Sequence, residues 1–195
     1  MSATAISRTV PRSALTPRMS ALKITFVWIG LSLVAFPLAG YLGWGIGGHV
    51  DGVGPALLGG ALTGAGIGLV QWWFLKRDLG VSLLWIPATA VGLAVGLTVG
   101  AAVVDYETTA ASLAIMGAIS GGAVGVAQGL LLRDHFSLWH VWALAMPVLW
   151  ALAWVVTEAA GIDVANQFTV FGASGSIVFG ILAGLLMATG RRLGG

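Results

Sequence analysis

The 195-residue chain contains no cysteine. Disulfides, thiolate nucleophiles and cysteine-ligated metals are therefore excluded. Charge is also scarce: 8% of residues are Asp, Glu, Lys or Arg, against about 25% in an ordinary soluble domain. That is too little polar surface to cover a water-facing globule. No Lys, Arg or His falls in the middle of an apolar run. Intramembrane charges that would mark an ion path are thus missing, and no buried His is placed as an axial ligand for a haem or chlorophyll. A proton relay lacks its chain of acids. These absences lead to a reading with no catalytic residue, no metal site and no cofactor.

What remains is apolar and small. Hydrophobic residues make up 58% of the chain, with 30 Gly and nine Trp, and the mean hydropathy is +0.98. Six apolar segments are expected at about 24–46, 54–75, 82–104, 110–132, 138–158 and 168–190, each near the ~20 residues a bilayer crossing needs. The fold class is an all-α integral membrane protein with six transmembrane helices. Residues 1–23 form a polar basic tail, 24–190 the membrane domain and 191–195 a short end. The tail is a poor secretory signal, because the charged lead is long and the run after it is long enough to span.

The charges sort by side. Arg8, Arg12, Arg18, Lys23, Lys76, Arg77, Arg133, Arg191 and Arg192 precede the first segment or follow an even one. Asp51, Asp105, Glu107, Glu158 and Asp163 lie in or beside the odd-to-even loops, which carry no Lys or Arg. The positive-inside rule then places both termini in the cytoplasm of a cell (inner) membrane protein. The basic residues report topology, so no nucleic-acid partner is expected. The expected partners are the lipid bilayer and a membrane protein or a second copy of the chain.

A repeat organises the membrane domain. Gly60-Ala61, Gly64, Gly68 and Gln71 return as Gly117-Ala118, Gly121, Gly125 and Gln128, 57 residues on. Steps of four, four and three keep each set on one helix stripe. Trp28, Trp85 and Trp142 share the period. With a loop two residues shorter, Gly172, Ala173, Ser176, Gly180 and Ala183 supply the third copy. The chain thus reads as three tandem hairpins, about 24–80, 81–137 and 138–190. Because they share one orientation, a pseudo-threefold axis is expected along the membrane normal.

Several residues stand out as candidates. Gly60, Gly64, Gly68, Gly92, Gly96, Gly100, Gly117, Gly121, Gly125 and Gly180 are expected to be packing seams, since small residues every fourth position let helices approach closely in lipid. Close backbone approach to a ligand is the alternative. Gln71 and Gln128 lie about 9 Å inside the basic helix ends at 1.5 Å per residue. They either bond across helices, or to each other, or line a polar vestibule. Trp28, Trp85 and Trp142 are expected as interfacial anchors, rings in lipid and N–H among headgroups, together with Arg77, Arg133 and Arg191. Pro37 and Pro147 are expected to kink helices 1 and 5.

Two resemblances follow from these residues. Gly172-Ala173-Ser174-Gly175 resembles the Gly-x-Ser-Gly of the rhomboid intramembrane proteases. That family activates its serine with a histidine on a later membrane helix, and here no His follows Ser174. A serine without a base is a poor nucleophile. The second resemblance rests on Gly60, Gly64, Gly68, Gln71, Trp72, Leu75, Arg77 and Trp85, and again on Gly117, Gly121, Gly125, Gln128, Leu132, Arg133 and Trp142. This pattern is similar to a set of uncharacterised bacterial multi-pass membrane proteins. It covers most of residues 54–155, with Gly129 where Trp usually follows Gln. The resemblance implies a repeat-built bacterial membrane protein and brings no activity with it.

Three functions are consistent with this pattern. The first is a non-enzymatic accessory or scaffold subunit, supported by the glycine seams and small loops. The second is a channel or facilitator for a small neutral solute, supported by the repeat and the two glutamines. The weakest is a lipid, quinone or carotenoid binder with walls of Trp72, Trp73, Trp150 and Trp154.

Overall fold

A computed structural model describes residues 20–164 and 169–193, the last three by backbone only. Most of the basic tail, including Arg8, Arg12 and Arg18, lies outside the described residues, as does the side chain of Arg191. Six helices follow one another: α1 Ala21–Gly47, α2 Val53–Asp78, α3 Trp85–Val103, α4 Ala110–Leu132, α5 Trp139–Ala159 and α6 Ala173–Leu193. All six are long and apolar enough to cross a membrane. At 1.5 Å per residue, lengths of 19 to 27 residues match a hydrocarbon core about 30 Å thick.

Local chemistry sets the ends. Ser20 caps α1 by accepting from Lys23 N at 3.3 Å, so Lys23 belongs to the first helical turn and not to the tail. Thr109 caps α4 by accepting from Ser112 N at 3.2 Å. Each hydroxyl satisfies an amide that has no partner within its helix. Gly80 (φ 71°) ends the turn after α2, where a left-handed residue is needed. Pro37 and Pro147 lie inside α1 and α5, and both helices continue through them.

Each helix packs on its neighbours in sequence, and α6 packs on α1, so the six close into a ring. Glycine allows the approach. A Cβ added to Gly60 would lie 2.9 Å from Ala94 Cα; at Gly64, 2.8 Å from Ala90 Cα; at Gly68, 3.1 Å from Ile86 Cα. These three residues form the α2–α3 seam. Gly92, Gly96 and Gly100 meet Val124, Ser120 and Met116 in the same way at α3–α4. Gly117, Gly121 and Gly125 meet Ala151, Met146 and Ala143 at α4–α5. Gly180 closes the ring, 2.9 Å from Ile29 Cα.

The registers correspond. Gly68 against Ile86, Gly125 against Ala143 and Gly180 against Ile29 are one contact made three times. Other glycines complete the ring: Gly43 and Gly47 against Gly59 between α1 and α2, Gly175 against the Ala153 carbonyl between α5 and α6, and Gly184 against Thr25. No glycine lies within α5, so both of its seams rely on glycines from its neighbours. The outward side chains are large and apolar, among them Phe26, Val34, Val91 and Leu144.

The sixth segment corrects the expected boundary of 168. Its helix begins at Ala173; residue 168 lies outside the described residues. Thr169, Val170, Phe171 and Gly172 are buried without helical structure. They are held by side chains: Thr169 Oγ1 donates to Gly40 O at 3.2 Å and pairs with the Thr63 hydroxyl, and Gly172 N donates to Thr157 Oγ1 at 3.2 Å. Irregular backbone is viable at such depth only when enclosed by protein that satisfies it.

Gly121→Ala is expected to cost about 1–3 kcal/mol, because its Cβ would meet Met146 O at 2.5 Å with no flexible atom to yield. Gly30→Ala, on an exposed face with nothing within 4 Å, is expected to leave stability unchanged or slightly raised. Thermal unfolding of the two variants in one detergent checks the contrast.

Candidate functional site

The two glutamines meet at the centre of the ring. Gln128 Nε2 donates to Gln71 Oε1 at 3.0 Å, a contact across 57 residues of sequence. The same nitrogen donates to Thr89 Oγ1 at 3.0 Å, and Thr89 Oγ1 donates to the Trp85 carbonyl at 2.8 Å. Trp85 Nε1 donates to Gln71 Oε1 at 3.2 Å and Trp142 Nε1 to Gln128 Oε1 at 3.1 Å; each pair is separated by 14 residues. One hydrogen bond is thus made twice, by equivalent residues of adjacent hairpins. Gln71 is 5% exposed and Gln128 1%. Helices α2, α3, α4 and α5 are joined by this network.

This placement corrects the expectation for the tryptophans. Trp28, Trp85 and Trp142 are 1%, 0% and 0% exposed, so their rings are inside the bundle and not in lipid. The reason is the amide beside two of them: a buried glutamine needs a donor for its oxygen, and the indole N–H supplies one. The sequence carries this signal in the 14-residue offset shared by Gln71 and Trp85 and by Gln128 and Trp142. Of the expected roles of Gln71 and Gln128, bonding to each other is seen: Gln71 Oε1 accepts from Gln128 Nε2 and from the Trp85 indole. Arg77 and Arg133 remain at the helix ends; the Arg77 guanidinium sits 4.3 Å from the centre of the Trp73 ring, and Arg133 is exposed beside Asp134.

Trp28 is the exception. Its Nε1 is buried with no hydrogen-bond partner among the described residues. The residue at the third Gln position is Ala183, itself fully buried, which offers no side-chain acceptor. Trp28 instead packs edge-on against Phe74 and Trp142, each with ring centres 5.9 Å apart. The Gln–Trp hydrogen bond is therefore made at two of the three matching sequence positions, and ring contacts stand at the other.

Towards the acidic end a second aromatic group fills the interior between α1, α5 and α6. Phe36 stacks on Phe171 at 4.7 Å, and Trp150 and Phe179 close around them. The buried, non-helical Phe171 was not a candidate from the sequence, because nothing in the apolar run marks where the helix begins. Ser174 lies near the start of α6, and its Oγ has no hydrogen-bond partner among the described residues; His135 lies in the α4–α5 turn and His140 in the first turn of α5, at the opposite end. Comparison of the chain with models of protein families, with curated proteins and with solved structures finds no match.

Trp85→Phe and Trp142→Phe are each expected to cost about 0.6–1.7 kcal/mol, the range for a hydrogen bond between membrane helices. Trp28→Phe should cost less than either, since its N–H has no acceptor to lose among the described residues. Unfolding of the three variants by mixed-micelle denaturant titration provides the comparison.

Proposed function

We propose that the chain is a non-enzymatic accessory or scaffold subunit of a bacterial cell membrane, with both termini in the cytoplasm. One observation carries the reading: the centre of the ring is occupied by mutually bonded polar groups and packed aromatics. The Gln71 carbonyl oxygen, both polar ends of Gln128, the Thr89 hydroxyl and the indole N–H groups of Trp85 and Trp142 bond to one another. A facilitator for a neutral solute needs such groups turned toward a path, where they replace the water the solute gives up. Ser174, the one serine in a protease-like motif, has no hydrogen-bond partner among the described residues to activate it.

The orientation rests on charge. Lys23, Lys76, Arg77 and Arg133 fall at one end of the helices, and Asp51, Asp105, Glu107, Glu158 and Asp163 at the other. Such a bias sets the basic end inside. The short connections, apart from that between α5 and α6, leave the lipid-facing helix surfaces as the main area for a partner. That partner is a membrane protein or a second copy of the chain.

Two measurements test the proposal. Extraction into native lipid discs without detergent should yield particles containing a stoichiometric second membrane protein, or more than one copy of this chain. In liposomes, the wild-type protein should raise the permeability to water, glycerol and urea by no more than the bare-lipid background. Saturable flux that disappears in Gln71→Leu/Gln128→Leu would replace the scaffold reading with the facilitator.

A further inference from the structure

The acidic end of the ring holds a cavity distinct from the amide network. It is a small, partly open cavity, on the scale of one small ammonium head. Three aromatic residues, Trp44, Tyr106 and Trp154, line it, together with Glu107 and Thr108. Contributions come from α1, α5 and the loop after α3, with Leu97 of α3 and Met116 of α4 beneath. A wider, more open recess shares Thr108 with it and carries Glu158 and Asp163.

Three features of this cavity point the same way. Aromatic faces present negative charge density and attract cations, most strongly when water is excluded. Glu107 adds a carboxylate, steadied by a hydrogen bond from Ser112 Oγ to Oε2 at 3.3 Å. The approach is acidic: Glu158 and Asp163 line the recess, and the described residues at this end include no Lys or Arg. Walls of low dielectric between like charges concentrate ions of opposite sign.

The backbone is bent to make this arrangement. Asp105 and Tyr106 are consecutive non-glycine residues in the left-handed region, with φ of 51° and 60°. That conformation disfavours side chains and survives where the surroundings enforce it. Tyr106 N donates to Ala101 O at 2.8 Å, closing the end of α3. The turn brings the Tyr106 ring and Glu107 to the same cavity.

We infer that this cavity is a binding site for a small organic ammonium ion, primary or methylated, held by the rings of Trp44, Tyr106 and Trp154 and by the carboxylate of Glu107. A hard metal ion is a poorer fit, because one carboxylate and aromatic carbon replace the six or more oxygens such ions take. The site is independent of the scaffold role and of the amide network at the other end of the bundle.

The probe is radiolabelled tetramethylammonium, equilibrated by dialysis against the purified full chain in maltoside micelles, whose neutral headgroups do not compete. Saturable uptake near one equivalent is expected below ~10 mM, a weak-site affinity. Methylammonium should displace the probe; tert-butanol, similar in shape but uncharged, should not. Glu107→Gln should weaken binding by about 2–5-fold, the scale of losing one solvent-exposed opposite charge, and Trp44→Leu by a similar factor. Glu107 is exposed, so its variant is expected to elute and unfold like the wild type, which separates lost binding from lost fold. Absence of saturable uptake, equal displacement by tert-butanol, or an unchanged midpoint in a folded Glu107→Gln protein would each overturn the assignment.

Discussion

The structure depends on how closely two helix backbones can approach in lipid. Apolar side chains gain little by leaving acyl chains for one another, so association rests on van der Waals packing and on the few polar groups that find partners. Every adjacent pair in this ring has at least one glycine at the contact, with a neighbouring backbone or Cβ where its own Cβ would be. Removing side chains at these places is what leaves the remaining atoms dense. The same closeness brings Gln71 within 3.0 Å of Gln128; helices held apart by leucines would leave the two amides unsatisfied in an apolar interior.

The polar centre and the glycine seams therefore support each other. A glutamine buried alone in hydrocarbon is costly, but here each amide oxygen accepts from a tryptophan 14 residues on. Because Trp85 reaches back to Gln71 and Trp142 to Gln128, these bonds tie hairpin to hairpin. The third hairpin departs from the rule at Ala183. There the interior is completed by ring contacts of Trp28 with Phe74 and Trp142, at the expense of one indole N–H without an acceptor among the described residues.

Much of this could be read from the sequence because the bilayer narrows the choices. Spanning helices must satisfy their backbones internally, so length and apolar composition alone located six elements with ends close to those observed. The periodic glycines gave the faces of Gly60, Gly64 and Gly68 because spacing on a helix is rigid. The tryptophans were harder. An indole near a helix end serves equally well at a lipid interface or beside a buried amide, and only the partner decides. The pairing of Gln71 with Trp85 is a contact between helices, and the 14-residue offset expresses it only once the hairpin geometry is known. The aromatic group around Phe171 was not legible for a different reason: Thr169 and Gly172 bond to distant groups on α1, α2 and α5 instead of continuing α6, and no local propensity records that. The cavity at the acidic end is likewise formed by residues from α1, α3, α4, α5 and the connections between helices.

Ring closure also sets an order of assembly. As the hairpins enter the membrane in turn, α2 can meet α3, and α4 can meet α5, soon after each is made. The contact of Gly180 and Gly184 with Ile29 and Thr25 cannot form until the last helix arrives. Helix α1 therefore spends most of synthesis with one face unmatched, and Trp28 lies close to that face. The join between α6 and α1 is the latest step of folding, and it is also where the internal symmetry is least complete.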